Sequence, residues 1–250
     1  MTSSAATRAS APGERSVAEI ALLGQPNVGK STVFNILTGM RQHIGNWPGK
    51  TVSKKEGWID LEGRQQRLID LPGTYSLTAG SEEEQIVREY LQHNQPDVVI
   101  FLADAVALER SLYLLSEVVA LHKNVVVGLN RMDVAQRYGI QVDPQALAKA
   151  LGLPVAPLIA RDAHGITQLL ATVEAVRREP QRCQPSPPQV RSRSAATLEH
   201  ITKRIRPVCP THYDPQWLAQ KLLEGDSQVF TLTKEWFSAA EWEALDSEMH

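Results

Sequence analysis

The sequence GQPNVGKS at residues 24–31 constrains the fold of this chain more than any other feature. It fits the pattern G-x-x-x-x-G-K-[ST] at every fixed position, in which glycines let backbone N–H groups close around phosphates. Lys30 would reach phosphate oxygens, and the Ser31 hydroxyl would face Mg²⁺. Residues 19–23 are typical of a buried strand and residues 31–37 have helical periodicity, which is the context that this loop requires. We therefore predict a nucleotide-binding domain.

The composition of the 250-residue chain limits its class. It is 42% hydrophobic and 22% charged, as is ordinary for a soluble globular protein, and its net charge of −2 gives no reason to expect nucleic acid as a partner. No stretch approaches the ~18 consecutive apolar residues of a membrane span. Residues 1–16 lack the apolar centre of a secretory signal, so we expect a disordered tail there. Cys183 and Cys209 form no metal-ligand cluster, and free thiols are favoured over a disulfide.

Alternating strand and helix patterns over residues 17–178 predict an α/β domain with a mainly parallel sheet covered on both faces. A hairpin is expected where two strand patterns meet at Glu62-Gly63. Ser81 and Glu84 have the spacing of a helix capping box. The expected strands are residues 19–23, 54–61, 64–70, 97–103, 124–129 and 155–159, the expected helices are residues 31–37, 81–94, 108–122 and 165–178, and residues 43–52 are expected to form a loop.

The composition changes after this domain. Residues 179–188 contain four prolines and no apolar periodicity, which indicates a linker over residues 179–190. Beyond it, over residues 191–250, only helical patterns occur. The expected helices are residues 194–206, 214–224 and 233–246, so we predict a small all-α helical domain.

Asp70 and Gly73 form a D-x-x-G motif at the end of a predicted strand. A carboxylate there can hold Mg²⁺ through water, and the Gly73 N–H can sense a γ-phosphate. The motif alone is weak and usually an ordinary turn. Its position 40 residues after Lys30, at a strand end, favours the functional interpretation.

Asn130 and Asp133 follow another predicted strand as an N-x-x-D motif. The Asp133 carboxylate can accept the N1–H and N2–H₂ of guanine, a donor pair that adenine does not present. Asn130 can contact guanine N7 and can also tie the base loop to the phosphate loop. Capping of a helix N-terminus remains an alternative role for Asp133. Ala160-Arg161, after the last strand, would offer backbone N–H to guanine O6.

These motifs in this order resemble the small Ras-like GTPases of the translation-factor class. GNWPGKTV at residues 45–52, KEG at 55–57 and DLPGTYSL at 70–77 resemble, more narrowly, the cytosolic head of the ferrous-iron transport protein B (FeoB) family. HYDPQWLAQKLLEGD at residues 212–226 resembles the helical module that follows the GTPase in that family. The resemblance covers roughly residues 20–226.

The resemblance implies a Ras-like P-loop GTPase domain, followed by a helical domain that slows nucleotide release. It implies that this domain binds GTP and GDP with Mg²⁺ and K⁺ and regulates Fe²⁺ uptake by an attached polytopic membrane permease, expected outside this chain. The implied location is the cytoplasmic face of the bacterial inner membrane. The implied partners are the permease, small cytosolic Feo proteins and further copies of the chain, but no nucleic acid.

Matching positions also carry over residue roles. The resemblance assigns Thr51, Gly73 and Asn27 to catalysis, with Thr51 completing the Mg²⁺ shell in the GTP state beside Ser31 and Asp70, and with Asn27 helping to hold K⁺. The expected nucleotide-contacting residues are Gln25, Asn27, Val28, Gly29, Lys30, Ser31, Thr32, Thr51, Asp70, Gly73, Asn130, Arg131, Asp133, Ala160 and Arg161.

Three positions depart from the Ras-type pattern. Thr74 stands where a glutamine usually orients the attacking water, which predicts slow intrinsic hydrolysis stimulated by K⁺. Arg131 replaces the lysine of N-K-x-D, although its aliphatic stem can still cover the base. Ala160-Arg161-Asp162 replaces Ser-Ala-Lys. Arg41 is the nearest candidate arginine finger in the sequence, and no motif supports it.

Two other functions remain open. A soluble GTPase of ribosome or tRNA maturation would share these loops, but it would be expected to carry a basic appendage, whereas residues 235–248 are acidic. A nucleotide-dependent interaction module with negligible turnover is credible because of the missing glutamine.

Overall fold

The computed structural model describes residues 17–39, 41–78, 80–185, 192–211 and 213–249, with only the backbone described for residues 192–194. The predicted disordered tail, residues 186–190 of the predicted linker, and His212 of the helical-module motif lie outside these ranges.

A seven-stranded sheet of order β2-β3-β4-β1-β5-β6-β7 forms the centre of the α/β domain. Its strands are β1 Glu19–Gly24, β2 Gln42–Asn46, β3 Ser53–Leu61, β4 Arg64–Asp70, β5 Val98–Asp104, β6 Val125–Asn130 and β7 Val155–Pro157. Strands β4, β1, β5, β6 and β7 are parallel, whereas β2 and β3 pair antiparallel. Every residue of β5 is buried, as expected for a strand with both faces covered.

Helices cover this sheet. Within the described residues they are α1 Lys30–Thr38, α2 Glu82–His93, α3 Leu108–Leu121, α4 Met132–Arg137, α5 Pro144–Leu151 and α6 Ile166–Arg178. The predicted α/β fold is confirmed, and so is the capping box, since the Ser81 and Glu84 side chains each bond the other's backbone N–H. Helices α4 and α5 were not predicted, and both are short, at six and eight residues.

The prediction of a loop over residues 43–52 is wrong in its first part. Strand β2 pairs with β3 in a register that sets Ile44 opposite Lys55. Most of its residues are exposed and it lies at the sheet edge, so its sequence has no buried alternation to reveal a strand. Only residues 47–52, hereafter the Thr51 loop, connect β2 to β3.

Four helices are described in the helical domain: α7 Ser192–Ile205, α8 Pro215–Leu223, α9 Ser227–Lys234 and α10 Ala239–Met249. The prediction of one helix over residues 233–246 is wrong, because α9 begins earlier at the Asp226 cap and ends at Lys234. Helix α10 has its own N-terminal cap, in which the Ser238 hydroxyl accepts the Glu241 N–H at 3.4 Å. The domain has its own apolar cluster, including Trp217, Leu218 and Leu245.

The first residues of the predicted linker pack on the α/β domain. Pro180–Arg182 forms one 3₁₀ turn, and Cys183 is buried in the core of the α/β domain. Gln184 donates its backbone N–H to the Gly152 carbonyl at 2.8 Å. Cys183 and Cys209 are both free thiols. None of the described helices is long and apolar enough to cross a membrane.

Candidate nucleotide-binding site

Four neighbouring parallel strands present chemistry-bearing residues at their carboxyl ends. Strand β1 runs into the phosphate loop (residues 24–31), β4 ends at Asp70, β5 ends at Asp104 and β6 ends at Asn130. The register pairs Leu22 with Asp70 and Asp104 with Asn130, so these ends lie at one edge of the sheet. Ligands of open α/β folds bind at this edge.

The phosphate loop has a backbone that glycine makes possible. Gly29 has a φ of +96°, and a Cβ built on it would lie 2.5 Å from the Asn130 Nδ2 atom. Asn27, with a φ of +63°, is exposed on the loop. A side chain at position 29 would therefore be both strained and obstructed, which leaves the backbone N–H groups of the loop accessible.

A phosphate-binding cation and a metal-binding carboxylate meet beside this loop. Lys30 Nζ lies 2.5 Å from Asp70 Oδ1, and both side chains are largely buried. Ser31 and Thr32 lie in the first turn of α1 and are exposed. A hydroxyl oxygen together with a carboxylate oxygen suits Mg²⁺, and a lysine beside them suits a phosphate.

Gly73 closes against the phosphate loop. A Cβ added to Gly73 would lie 3.2 Å from the Pro26 nitrogen and 3.3 Å from its Cα, closer than most side chains approach a backbone. The next residue, Thr74, is buried and donates its hydroxyl to the Ser76 carbonyl at 2.7 Å. The Thr74 hydroxyl therefore supports the turn, while the glycine brings the D-x-x-G backbone to the loop.

Asn130 joins three loops of the site. Its Nδ2 donates to the Val28 carbonyl at 2.9 Å, and its Oδ1 accepts the Ala160 N–H at 3.0 Å. The side chain is buried, with 3% of the residue exposed. The Ala160 N–H is thus engaged by protein, so the expectation that it meets the base directly needs correction: the next N–H, of Arg161, replaces it as the candidate donor.

Asp133 presents a carboxylate near the surface. It lies inside the first turn of α4, whose preceding residue is Arg131, so the alternative role as the N-cap is not observed. Its Oδ2 lies 3.3 Å from Arg137 Nη2 and 3.5 Å from Arg161 Nη2, and both arginine side chains are mostly exposed. Exposed ion pairs of this kind are weak, so this carboxylate can change partners when a ligand arrives.

Asp104 belongs to the site although the sequence analysis did not select it. Its Oδ2 lies 2.6 Å from Arg131 Nη1, and its Oδ1 accepts the Val106 N–H at 2.9 Å. Arg131 itself has a left-handed backbone with φ of +66°. This nearly buried carboxylate fixes the direction of the Arg131 side chain at the base loop. The signal that could have found it is an acidic residue at a strand end, as for Asp70.

Comparison with known proteins agrees with this geometry. Residues 18–173 match the family model described as "Ferrous iron transport protein B". The chain belongs to this family. The resemblance inferred from the sequence is therefore confirmed, and the α/β domain is a P-loop GTPase domain of the FeoB type.

Relatives are similar over most of this chain. It is 37% identical over 211 residues to the Fe(2+) transporter FeoB of Salmonella typhi, which covers 83% of the chain and 27% of that protein. It is 43% identical over 159 residues to the Fe(2+) transporter FeoB of Escherichia coli strain K12, covering 62% of the chain and 21% of that protein. The chain thus spans about a quarter of the length of these relatives.

Solved structures of FeoB cytosolic domains have the same architecture. The T. maritima domain in its GMPPNP form is 32% identical, with a TM-score of 0.80 and 93% of each chain covered. An S. thermophilus variant bound to GDP is 30% identical, with a TM-score of 0.82, covering 93% of this chain and 88% of that one. The helical domain is included in these matches, since it lies within the covered length.

The Thr51 loop of this FeoB domain is docked on α2. The Thr51 hydroxyl donates to Glu82 Oε2 at 2.9 Å, and Lys50 Nζ lies 3.3 Å from Gln85 Oε1. Trp47 is 9% exposed and meets the Tyr90 ring edge-on, with 5.6 Å between the ring centroids. Trp47 is therefore an anchor, and the structure places the Thr51 hydroxyl at the start of α2.

One buried hydrogen-bond donor of the docked Thr51 loop is unsatisfied. The buried indole N–H of Trp47 has no hydrogen-bond partner within the described residues. An unsatisfied buried donor costs about 1–3 kcal/mol. The docked position of the loop therefore carries an unfavourable contribution of this size beside its favourable contacts to α2.

Arg41, the candidate arginine finger, lies away from the phosphate loop. Its side chain contacts Gln65 near the start of β4, whereas Asp70 lies at the other end of that strand.

The Gln25 side chain is part of the scaffold under the phosphate loop, because it donates a 2.8 Å hydrogen bond to the Arg110 backbone carbonyl. The described residues contain no group of three or more His, Cys, Asp or Glu side chains that could hold a metal ion.

Proposed function

We propose that this chain binds GTP and GDP with Mg²⁺, hydrolyses GTP slowly with stimulation by K⁺, and controls Fe²⁺ uptake through its nucleotide state. The observation that carries the proposal is the bridge made by Asn130, which holds the guanine-reading loop against the phosphate loop. A phosphate site and a guanine site at a fixed separation suit one ligand class, the guanine nucleotides.

Each end of the nucleotide has a distinct set of residues. At the phosphates, Lys30 exchanges its contact with Asp70 for phosphate oxygens, and loop N–H groups donate. Ser31 and Asp70 would hold Mg²⁺, which when bound neutralises phosphate charge. At the base, Asp133 accepts from guanine and the Arg161 N–H donates to O6.

Thr74 stands where Ras-type GTPases place the glutamine that orients the attacking water. The Thr74 hydroxyl is already bonded to Ser76. We propose that Thr51 leaves Glu82 and joins the Mg²⁺ shell only when a γ-phosphate is present, while Gly73 donates its N–H to that phosphate. Asn27, exposed on the loop, would help hold K⁺ at the place where charge develops.

The role in iron transport depends on the whole protein. The relatives named as Fe(2+) transporters are about four times longer than the matched region, and we propose that a polytopic permease completes this chain likewise. The site would then face the cytoplasm at the inner membrane. Small cytosolic Feo proteins and further copies of the chain are proposed partners.

The test uses the purified chain. GDP and GTP binding is measured by fluorescence titration with ATP as competitor, and single-turnover GTP hydrolysis is measured in KCl and in NaCl. We expect guanine-selective binding and a basal rate near the ~10⁻⁴–10⁻³ s⁻¹ of unassisted small GTPases, rising in K⁺ but not in Na⁺. Asn27→Ala should abolish the difference while nucleotide stays bound, and Asn94→Ala, at an exposed position on another loop, is the matched control.

The outcomes separate the parts of the proposal. Binding without hydrolysis in either salt would indicate an interaction module without turnover. Equal rates in K⁺ and Na⁺ would overturn the cation mechanism alone. Equal affinity for ATP and GTP would overturn the assignment of the base site.

A further inference from the structure

The two domains meet through a buried charge cluster that lies outside the nucleotide site. Lys221 of α8 is fully buried, and Glu117 of α3 is 1% exposed. The Lys221 ammonium contacts the Glu117 carboxylate, lies 2.7 Å from Glu224 Oε2 and lies 3.2 Å from Thr78 Oγ1. Glu117 Oε2 accepts the Leu77 backbone N–H at 2.7 Å.

Two residues that contact this cluster, Leu77 and Thr78, belong to the segment that follows Gly73 in the sequence. Leu77 and Thr78 follow Gly73 by four and five residues, and the Leu77 side chain is fully buried. Gly73 in turn touches the phosphate loop at Pro26. The segment of residues 73–78 is thus held at one end by the phosphate loop and at the other by a charge from the helical domain.

We infer that Lys221, acting through Glu117, is a positioning residue that holds residues 73–78 where the Gly73 N–H meets the γ-phosphate. The inference deepens the proposed function and depends on it. Lysine is suited to this role because its ammonium carries three donors, and one oxygen each of Thr78, Glu117 and Glu224 accepts from it.

Electrostatics favour a charged lysine here. Burial by itself would lower the pKa of Lys221, but the Glu117 and Glu224 carboxylates outweigh burial and raise that pKa above its ordinary value. Removing the ammonium would leave Glu117 buried without its counter-charge, and a buried pair broken on one side is strongly destabilising locally. Burial already raises the pKa of Glu117, so without the ammonium this carboxyl would take up a proton and its bond to the Leu77 N–H would weaken.

A second buried ion pair crosses the same contact and provides a matched control. Arg88 Nη1 of α2 lies 2.9 Å from Asp226 Oδ2, with 5% and 1% of the side chains exposed. Arg88 also lies 5.0 Å from the centre of the Trp217 ring. This pair docks the helical domain, and within the described residues it makes no hydrogen bond to residues 73–78.

The experiment compares variants of the two pairs in the full chain. Lys221→Gln and Glu117→Gln remove a charge next to Leu77. Arg88→Lys perturbs the docking pair and the contact with Trp217, and Asp226→Asn perturbs the docking pair and the cap of α9, so neither control changes a contact to residues 73–78. For each variant, single-turnover GTP hydrolysis, the affinities for GMPPNP and GDP, and the melting temperature are measured at a temperature where near-ultraviolet circular dichroism shows it to be folded.

We expect Lys221→Gln to slow hydrolysis about fivefold or more and to weaken GMPPNP binding relative to GDP by about the same factor, since only the γ-phosphate contacts Gly73. Asp226→Asn and Arg88→Lys should lower the melting temperature but leave both quantities within about twofold of the unmodified chain. The double variant Lys221→Gln/Glu117→Gln, which restores an uncharged hydrogen-bonding pair, should recover most of the hydrolysis rate.

Three results would overturn the inference. The first is an unchanged GMPPNP-to-GDP affinity ratio in Lys221→Gln, and the second is an equal change of that ratio in Asp226→Asn. The third is a hydrolysis rate that does not recover in the double variant. If Lys221→Gln does not fold, Glu117→Gln, which keeps an acceptor for Leu77, decides by the same ratio. An unmodified chain that does not bind or hydrolyse GTP would instead overturn the proposed function.

Discussion

Ion pairs differ between the candidate nucleotide site and the contact between the two domains. The Asp133 carboxylate of the site pairs with exposed arginines, whereas Arg88 and Asp226 at the domain contact are buried against each other. The same kind of ion pair therefore has a different role in each region. Weak exposed pairs can be exchanged for a ligand at little cost. Buried pairs cannot be broken without leaving a charge in the protein interior, so they hold two surfaces together in one arrangement.

The largest expected effect is on folding and concerns the domain contact. Arg88→Met leaves Asp226 buried without its partner, and we expect a loss of about 3–5 kcal/mol in the free energy of unfolding. Chemical denaturation followed by tryptophan fluorescence measures it. The matched control is Lys203→Met, which breaks an exposed pair with Glu199 and should cost far less, because solvent screens that pair. Equal losses of unfolding free energy in both variants would show that the buried pair is no more important for stability than the exposed pair.

The next effect concerns the nucleotide edge. Asp133→Asn replaces the acceptor of two guanine hydrogens by a group that offers a donor, at a cost of about 1–3 kcal/mol. GTP affinity should fall at least tenfold, and xanthosine triphosphate binding should appear. Asp162→Asn, at the neighbouring exposed acid, serves as the control. Unaltered GTP affinity in Asp133→Asn would exclude this carboxylate from the base site.

A third prediction concerns how the stability of the protein depends on pH through His122. His122, at the end of α3, is buried, and burial lowers its pKa to about 4. In the unfolded chain its pKa is near 6.5, so between these values the unfolded state binds more protons and stability falls as the pH falls.

We expect His122 to contribute a loss of about 1.5 kcal/mol between pH 6.5 and pH 5. His122→Phe should remove that part of the pH dependence in urea unfolding curves, while His93→Asn, at an exposed ring, should retain it. A slope that is the same in His122→Phe and in the unmodified chain would show that another group is responsible.

The smallest predicted effect separates binding from turnover. Thr51→Ala should retain GDP binding but cut single-turnover hydrolysis at least tenfold, a loss of about 1.4 kcal/mol of transition-state stabilisation. Glu82→Gln is the control, because it changes the partner of the docked Thr51 hydroxyl and keeps that hydroxyl in the chain. If Thr51→Ala hydrolyses GTP as fast as the unmodified chain, the assignment of this loop to the metal is wrong.

The sequence predicted those parts of the site that are local in the chain. The phosphate loop, Asp70 and Asn130 each belong to a short motif next to a strand, so spacing and strand pattern together place them at one sheet edge. The sequence could not show what depends on distant pairing. Arg131 meets Asp104 across 27 residues, and Lys221 meets Glu117 across 104 residues, with no local pattern marking either pair.

One wrong prediction and one untested prediction depend on exposure and on alternative partners. Strand β2 lies at the sheet edge with exposed side chains, so hydrophobic periodicity cannot reveal it. The metal-ligand role that the resemblance implies for Thr51 stays a prediction, and the structure shows the Thr51 hydroxyl bonded to Glu82. A motif indicates the partner that a residue can have, and the partner that it has in a given state depends on the rest of the fold.

The Asn130 side chain uses both its ends to bind the protein, and this makes the spacing between two recognition elements a property of the fold. The base pocket and the phosphate cradle cannot drift apart to suit a shorter or longer molecule. The site can thus select a ligand by its length as well as by its hydrogen-bonding groups. We therefore expect guanosine alone or pyrophosphate alone to bind more weakly than a nucleotide that spans both halves, because the alignment of the two halves is set before the nucleotide binds.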